Sequence, residues 1–207
     1  MAKQLILIRH AEIDPCYAGK FVGRTDVALS ELGECQAVAL ADAITPVLTE
    51  QTPILVSPQL RARQTALTLK RKFDTDNNLR EIDFGRWENL TFEEIQKDCP
   101  AEKMEQWCKG DPQFSFPDGE AFGDFQRRVK AVVERLLDDD AQQILVITHG
   151  GVISTMICQL LGIPAMKFLA FQVARGSVSK INIVDRTGSL VLLGDVCHLN
   201  GIEDIQS

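Results

Sequence analysis

Two histidines, each standing just past a short apolar run, are the residues whose setting most suggests chemistry. Leu5-Ile6-Leu7-Ile8 runs into Arg9-His10, and Ile144-Leu145-Val146-Ile147 runs into Thr148-His149-Gly150-Gly151. An imidazole can serve as nucleophile, base or hydrogen-bond donor. Beside a guanidinium, as in Arg9-His10, it suits an anion. The glycines after His149 permit close backbone approach, and a helix starting there would offer free N–H groups to the same anion. Arg61, four residues after Ser57, adds a second guanidinium whose planar fork matches phosphate oxygens. Taken singly, a histidine at the end of a strand is more often a structural hydrogen-bonding group. The convergence of Arg9, His10, Arg61 and His149 is what points to an anion site.

These residues need elements that bring them together. Continuous branched runs bounded by polar residues read as strands buried on both faces, as in a parallel sheet, and ligands of such sheets sit at the carboxyl ends of the strands. Residues 4–8 form the first strand, and Ser30 caps a following helix with Glu31 and Glu34 in its first turn. Pro53 introduces the strand Ile54-Leu55-Val56, and Pro58 suits the first turn of a helix running through Arg61, Thr65 and Leu69. From about 85 to 120 the pattern is broken by Pro100, Pro112 and Pro117, with Trp87, Trp107, Phe92, Phe114 and Phe116 scattered through it. This excursion is expected to cover the mouth of the site. Phe122, Phe125, Val129, Val132, Val133 and Leu136 recur at helical spacing, and a helix from about Val152 to Leu161 follows His149. Segments 177–184 and 190–196, straddling Arg186-Thr187-Gly188, read as a terminal hairpin. The alternation predicts a layered α/β sandwich.

Composition narrows the classes of function. The 207 residues suffice for one domain, expected over 1–207 with the excursion included. Apolar content of 45% with 25% charged residues is ordinary for a globular protein. A net charge of −7 argues against a nucleic-acid partner, which normally meets basic patches. A small anion stays open if positive charge is concentrated locally. Cysteines 16, 35, 99, 108, 158 and 197 form no C-x-x-C pair and no zinc-ligand spacing, so free thiols in a reducing cytoplasm and no metal site are expected. Met1-Ala2-Lys3-Gln4 leads into an apolar run too short for a signal segment or a membrane span. A cytoplasmic protein with no membrane partner is the expectation.

Four motifs in one order carry a family resemblance. Arg9-His10-Ala11-Glu12 matches R-H-G-E with alanine for glycine, and the run from Ser57 to Ala66 matches a second arginine motif. Leu79-Arg80-Glu81 matches an acidic motif, and Thr148-His149-Gly150-Gly151 a second histidine motif. The chain thus resembles the histidine phosphatase superfamily, in the branch that contains cofactor-dependent phosphoglycerate mutases. The resemblance implies a three-layer α/β/α sandwich of phosphoglycerate mutase type around a mostly parallel sheet, with the excursion as an inserted cap. It implies that neutral His10 attacks phosphorus, that Arg9, Arg61 and His149 hold the phosphoryl oxygens, and that Glu81 serves as acid and then base. Neither metal nor other cofactor enters this scheme. Glu12, Arg24, Thr25, Trp87 and Gly150 are the implied substrate contacts.

Blander roles stand beside these. Glu81 can be a strand-edge carboxylate paired to Arg80, Glu12 a cap on the turn after His10, and Thr25-Asp26 a turn. Glu88 is a rival acid, read here as a solvated group of the excursion. Cys16 stands where many relatives carry a phosphate-contacting asparagine, and a thiol is a weak donor. Pro117-Asp118-Gly119-Glu120-Ala121 resembles a P-G-G-E-S stretch, for which an N-terminal cap is the alternative. Arg127, Arg128 and Lys130 read as a polar helix face, and His198 as a surface or edge residue.

Mutases of this type are generally longer and close over a small substrate to exclude water. The compact chain and its aromatic excursion favour a phosphatase whose pocket takes a partly apolar phosphorylated metabolite. The stretch from Leu79 to Glu88 is similar to the α-ribazole-phosphatase-like members, making α-ribazole 5′-phosphate or another nucleotide-like or sugar phosphate a candidate. A phosphoglycerate mutase is the alternative, and a catalytically silent phosphate-binding regulatory module the alternative of another class. The latter is disfavoured by the presence of His10, Glu81 and both arginines. A monomer or a homodimer is expected, with 190–196 either an inner strand or an edge open to a second chain.

Overall fold

The apolar runs that precede the two histidines lie side by side in one sheet. A computed structural model describes residues 3–202; Met1, Ala2 and 203–207, the ends of the expected 1–207 unit, lie outside the described residues. The strands are β1 (Lys3–Arg9), β2 (Ile54–Val56), β3 (Asp74–Thr75), β4 (Gln143–Thr148), β5 (Val178–Val184) and β6 (Thr187–Asp195). They stand in the order β3-β2-β4-β1-β5-β6. The first four are parallel, and β5 and β6 run antiparallel at one side.

Register is the feature that matters for the site. Leu5 pairs with Ile144 and Arg9 with Thr148, so β1 and β4 end in step. The His10 amide then donates to the Thr148 carbonyl at 3.0 Å, and the Ser57 amide past β2 donates to Ile147 at 2.9 Å. Three strand ends therefore stop on one line.

Alternate side chains divide between two faces, as the pleat requires. Leu5, Leu7, Ile144 and Val146 pack with α5 (Phe122–Asp138) and α6 (Gly150–Leu160), whereas Ile6, Ile8, Leu145 and Ile147 pack with α1 (Glu31–Ile44) and α2 (Leu60–Leu67). This is the three-layer α/β/α sandwich. Each fully buried Leu or Ile contributes on the order of 1.5–3 kcal/mol, so the central strands supply much of the driving force. Ser30 caps α1 as predicted, its Oγ accepting from Gly33 N at 3.0 Å. A Cβ on Gly33 would lie 1.9 Å from Glu12 O, so α1 rests directly on the turn after His10.

Several boundaries differ from expectation. The second helix starts at Leu60 with Gln59 as its N-cap, leaving Pro58 outside it. The helix after His149 begins at Gly150 rather than Val152, because the glycines are themselves its first residues. The hairpin turns at Asp185-Arg186, both left-handed with φ of 48° and 65°, one step before the predicted Arg186-Thr187-Gly188. Strand β6 is an edge of the sheet, with Val191 and Leu193 exposed.

The excursion carries α3 (Phe92–Asp98) and α4 (Ala101–Cys108). Four of its five aromatics pack on one another, and only Phe92 is exposed. Trp87, Trp107, Phe114 and Phe116 are buried against one another, with ring centroids 5.3 Å apart for Trp87–Phe116 and 4.9 Å for Trp107–Phe116. A segment that leaves the sheet must bring its own apolar core, and these rings are that core. Trp87, expected at the substrate, is 4% exposed and sits inside the cluster.

Candidate active site

His10 projects from the end of β1 with both ring nitrogens engaged. Nδ1 lies 2.8 Å from Ala11 O, and Nε2 accepts from Arg61 Nε at 3.3 Å. A carbonyl only accepts, so the proton sits on Nδ1 and the lone pair on Nε2. Burial, then the charges of Arg61 and Arg9, hold the His10 pKa well below the usual 6.5. The imidazole is neutral and its lone pair faces the guanidinium.

The ring of His149 stands 5.2 Å from that of His10, centroid to centroid, with Nε2 2.8 Å from Ser57 Oγ. Burial and Arg61 depress its pKa as well. Arg9 Nη1 donates to Val173 O at 2.6 Å. Arg61 spends Nη1 on Thr25 O at 3.0 Å and Nη2 on Gly23 O at 2.9 Å. Burial pushes both arginines down to about 10, and repulsion from Arg175 adds to the effect at Arg9. Two donors or acceptors in this cluster, Arg9 Nε and His149 Nδ1, are buried with no hydrogen-bond partner. Such groups cost on the order of 1–3 kcal/mol each unless a ligand meets them.

Glu81 reaches the same place from the segment after Leu79. Its Oε2 accepts from Gly151 N at 3.0 Å and its Oε1 from Ile82 N at 3.0 Å. The carboxylate is thus seated at the start of α6, where the helix dipole favours negative charge. It is not paired to Arg80. Its backbone is clamped twice: Gln59 Oε1 accepts from Glu81 N at 2.9 Å, and Arg128 Nη2 donates to Glu81 O at 3.0 Å.

The loop from Val22 to Thr25 is held by a residue that the sequence misrepresents. Glu88 accepts from Gly23 N at 3.2 Å, Arg24 N at 2.7 Å, Thr25 N at 3.2 Å and Thr25 Oγ1 at 2.6 Å. It is a buried-side anchor rather than a solvated group, because three successive amides turn inward onto one carboxylate. Thr25 therefore spends its hydroxyl on Glu88. Arg24 is half-buried, with Nε 4.0 Å from Asp83 Oδ2.

Other expected residues have different settings. Glu12 pairs with Arg175, and its amide donates to Gln36 Oε1 at 2.9 Å. Cys16 is exposed on a single turn, Pro15–Tyr17, and Asp14 raises its pKa. Glu120 caps no helix: the N-cap of α5 is Ala121, without a side-chain bond, and Glu120 instead holds Arg128 Nε at 2.6 Å. Arg128 is correspondingly not on a polar face. It also donates to Asn78 O and Arg80 O at 2.7 Å each and lies 4.8 Å over the Phe125 ring. His198 is partly buried, with Nε2 3.0 Å from Gly176 O.

Gln59, Arg128 and Arg175 were missed as site residues. Gln59 lies inside the second arginine motif, a signal that could have drawn attention to it. Arg128 and Arg175 carry none, since each acts across a large sequence separation. Among the described residues no group of three or more His, Cys, Asp or Glu is placed to hold a metal ion. No helix there is long and apolar enough to cross a membrane.

Residues 5–196 match the histidine phosphatase superfamily, branch 1. The chain belongs to that superfamily. This histidine phosphatase is 33% identical over 196 residues to the adenosylcobalamin/alpha-ribazole phosphatase of Salmonella typhimurium, covering 92% of this chain and 95% of that one. It is 30% identical over 202 residues to phosphoserine phosphatase 1 of Hydrogenobacter thermophilus, covering 95% and 94%. The alpha-ribazole phosphatase structure from Shigella flexneri superposes with a TM-score of 0.80 at 31% identity, covering 93% of this chain and 96% of that one. The match in architecture includes the mostly parallel sheet with its flanking helices.

Proposed function

We propose that this histidine phosphatase hydrolyses the monoester of a small phosphorylated metabolite through a phosphohistidine on His10. The observation that carries this reading is the neutral His10, whose Nε2 lone pair stands 3.3 Å from Arg61 Nε. In the first step Nε2 attacks phosphorus, the P–O bond to the alcohol breaks, and Glu81 donates its proton to the departing oxygen. In the second, water attacks phosphorus and gives a proton to Glu81, and the P–N bond breaks to release inorganic phosphate. Arg9, Arg61, His149 and the amides opening at Gly150 hold the phosphoryl oxygens, where charge is spread in the transition state. Only protein groups and water take part.

Glu12, Arg24 and Thr25 have supporting parts in this reading: Glu12 orients Arg175, and the loop bearing Arg24 and Thr25 supplies carbonyls that aim Arg61. The relatives named for alpha-ribazole and phosphoserine support a small metabolite as substrate. Six free cysteines suit a reducing cytoplasm, where we place the enzyme as a monomer or a homodimer.

The test is hydrolysis of p-nitrophenyl phosphate in EDTA, with an acid-labile phosphoprotein trapped on rapid quenching. His10→Ala should abolish both signals. A requirement for added metal would overturn the mechanism, and strong stimulation of phosphoglycerate interconversion by 2,3-bisphosphoglycerate would favour the mutase. Tight phosphate binding with no turnover would favour a regulatory module.

A further inference from the structure

We infer that the alcohol released by this enzyme is bound by the segment between Phe168 and Ala174, and that it is an uncharged, partly apolar group. The inference rests on the phosphatase reading above and deepens it. An acid that protonates the departing oxygen must stand on the leaving-group side of phosphorus. The cavity on Glu81's side, about 590 Å³, is bounded by Arg9, Glu81 and Gly151 at its base and by Leu169, Phe171 and Gln172 at its wall. That volume suits a group of nucleoside size.

The wall is fastened to the catalytic groups. Phe171 O accepts from Ser154 Oγ of α6 at 3.2 Å, and Val173 O accepts from Arg9 Nη1 at 2.6 Å. Leu169 is 48% exposed and Phe171, packed on one side against the core, is half-buried, so the segment presents apolar surface to the cavity. The excursion's Trp87, Trp107, Phe114 and Phe116 are consumed in its own core, and its exposed Phe92 lines a different cavity, with Gln96 and Met104.

Charge excludes one class of alcohol. Among the described residues lining the cavity, Arg9 and Glu81 are the only charged ones, and both are assigned to the phosphoryl group and the proton. Of the cations flanking the segment, Lys167 is exposed and not among the residues lining this cavity, and Arg175 is paired with Glu12 and lines a separate cavity with Gln36 and Leu199. A carboxylate on the alcohol would lie against this apolar wall with no free cation among the lining residues to receive it, and an unpartnered charge taken out of water is costly.

Four esters of primary alcohols test this by phosphate release: 2-phenylethyl phosphate, glycerol 3-phosphate, O-phosphoserine and 3-phosphoglycerate. We expect kcat/KM for 2-phenylethyl phosphate to exceed that for either carboxylate ester by tenfold or more. Phe171→Ala and Leu169→Ser should each lower the ratio of 2-phenylethyl to glycerol 3-phosphate efficiency about tenfold, chiefly through KM, as loss of one apolar contact implies. Carboxylate esters turned over equally well or better would overturn the subsite while leaving the phosphatase reading intact. So would variants that lower every ester alike. The wild-type ranking needs no variant to fold, and absence of turnover on all four would overturn the phosphatase reading together with this one.

Discussion

Arg61 and His10 meet through a single hydrogen bond, Nε to Nε2 at 3.3 Å, while both terminal nitrogens of the guanidinium are held by carbonyls of the 22–25 loop. Only a neutral imidazole can accept that bond. The bond thereby keeps Nε2 of the proposed nucleophile unprotonated and turned toward the guanidinium that would hold the phosphoryl oxygens, and the loop keeps the arginine in place.

Both buried histidines should stay neutral well into acid. Their pKa values are lowered in the folded state, so below about 6.5 the unfolded chain binds protons that the native chain does not. Their contribution to stability is complete above that pH and is lost as pH falls below it, by up to about 1.4 kcal/mol per pH unit for each histidine. Nitrogen-15 titration of the imidazoles and urea unfolding between pH 7 and 5 check this; stability that stays flat over that window would contradict it.

Arg61→Lys should lower kcat/KM for every ester by about a hundredfold, near the 3 kcal/mol typical of one lost transition-state donor. A lysine cannot bond His10 and three carbonyls at once. Initial-rate kinetics on two unlike esters read the outcome, and a loss confined to one of them would assign Arg61 to specificity instead.

Gly151→Ala should inactivate without unfolding. The added Cβ would stand 2.6 Å from Glu81 Oε1, so the flexible carboxylate swings off the start of α6. Since general acid–base catalysis is worth roughly a hundredfold or more, kcat should fall by that factor while the melting temperature changes little. A variant that melts early but retains kcat would refute this.

Glu88→Gln turns an acceptor shared by four amides, those of Gly23, Arg24, Thr25 and Phe84, and a hydroxyl into a group that also carries donors. The 22–25 loop should loosen and Arg61 with it, lowering kcat/KM about tenfold for all esters, a loss of ~1.4 kcal/mol. Trypsin offers a readout independent of catalysis, because Lys20 precedes the anchored amides and Arg24 lies among them. Cleavage there should quicken in the variant.

Arg128→Met removes one member of a pair with both side chains 13% exposed, leaving Glu120 buried and uncompensated. Breaking such a pair costs about 3–5 kcal/mol. Scanning calorimetry should show the melting temperature falling by roughly 6–20 °C. Glu120→Leu with Arg128→Met should recover part of the loss, since neither charge is then left buried.

The sequence by itself determined β1, β2 and β4, and the histidines past the ends of β1 and β4, because a strand buried on both faces is written as an unbroken apolar run; the exposed two-residue β3 carries no such run. It also determined the start of α1 through Ser30, a purely local hydrogen bond. The second arginine and the acidic residue were legible as motifs rather than as geometry. Only the tertiary structure decided which carboxylate does what: Glu81 onto Gly151, Glu88 onto the 23–25 amides, Glu12 onto Arg175, and Glu120 onto Arg128. It alone decided that Trp87 and its neighbouring rings are core. Periodicity reports how a side chain faces its own element. A hydrogen bond across 60 or more residues, as from Arg24 to Glu88, depends on register and packing between elements. The alignment of Arg9 with Thr148 is such a decision, and it is what brings His10 and His149 together.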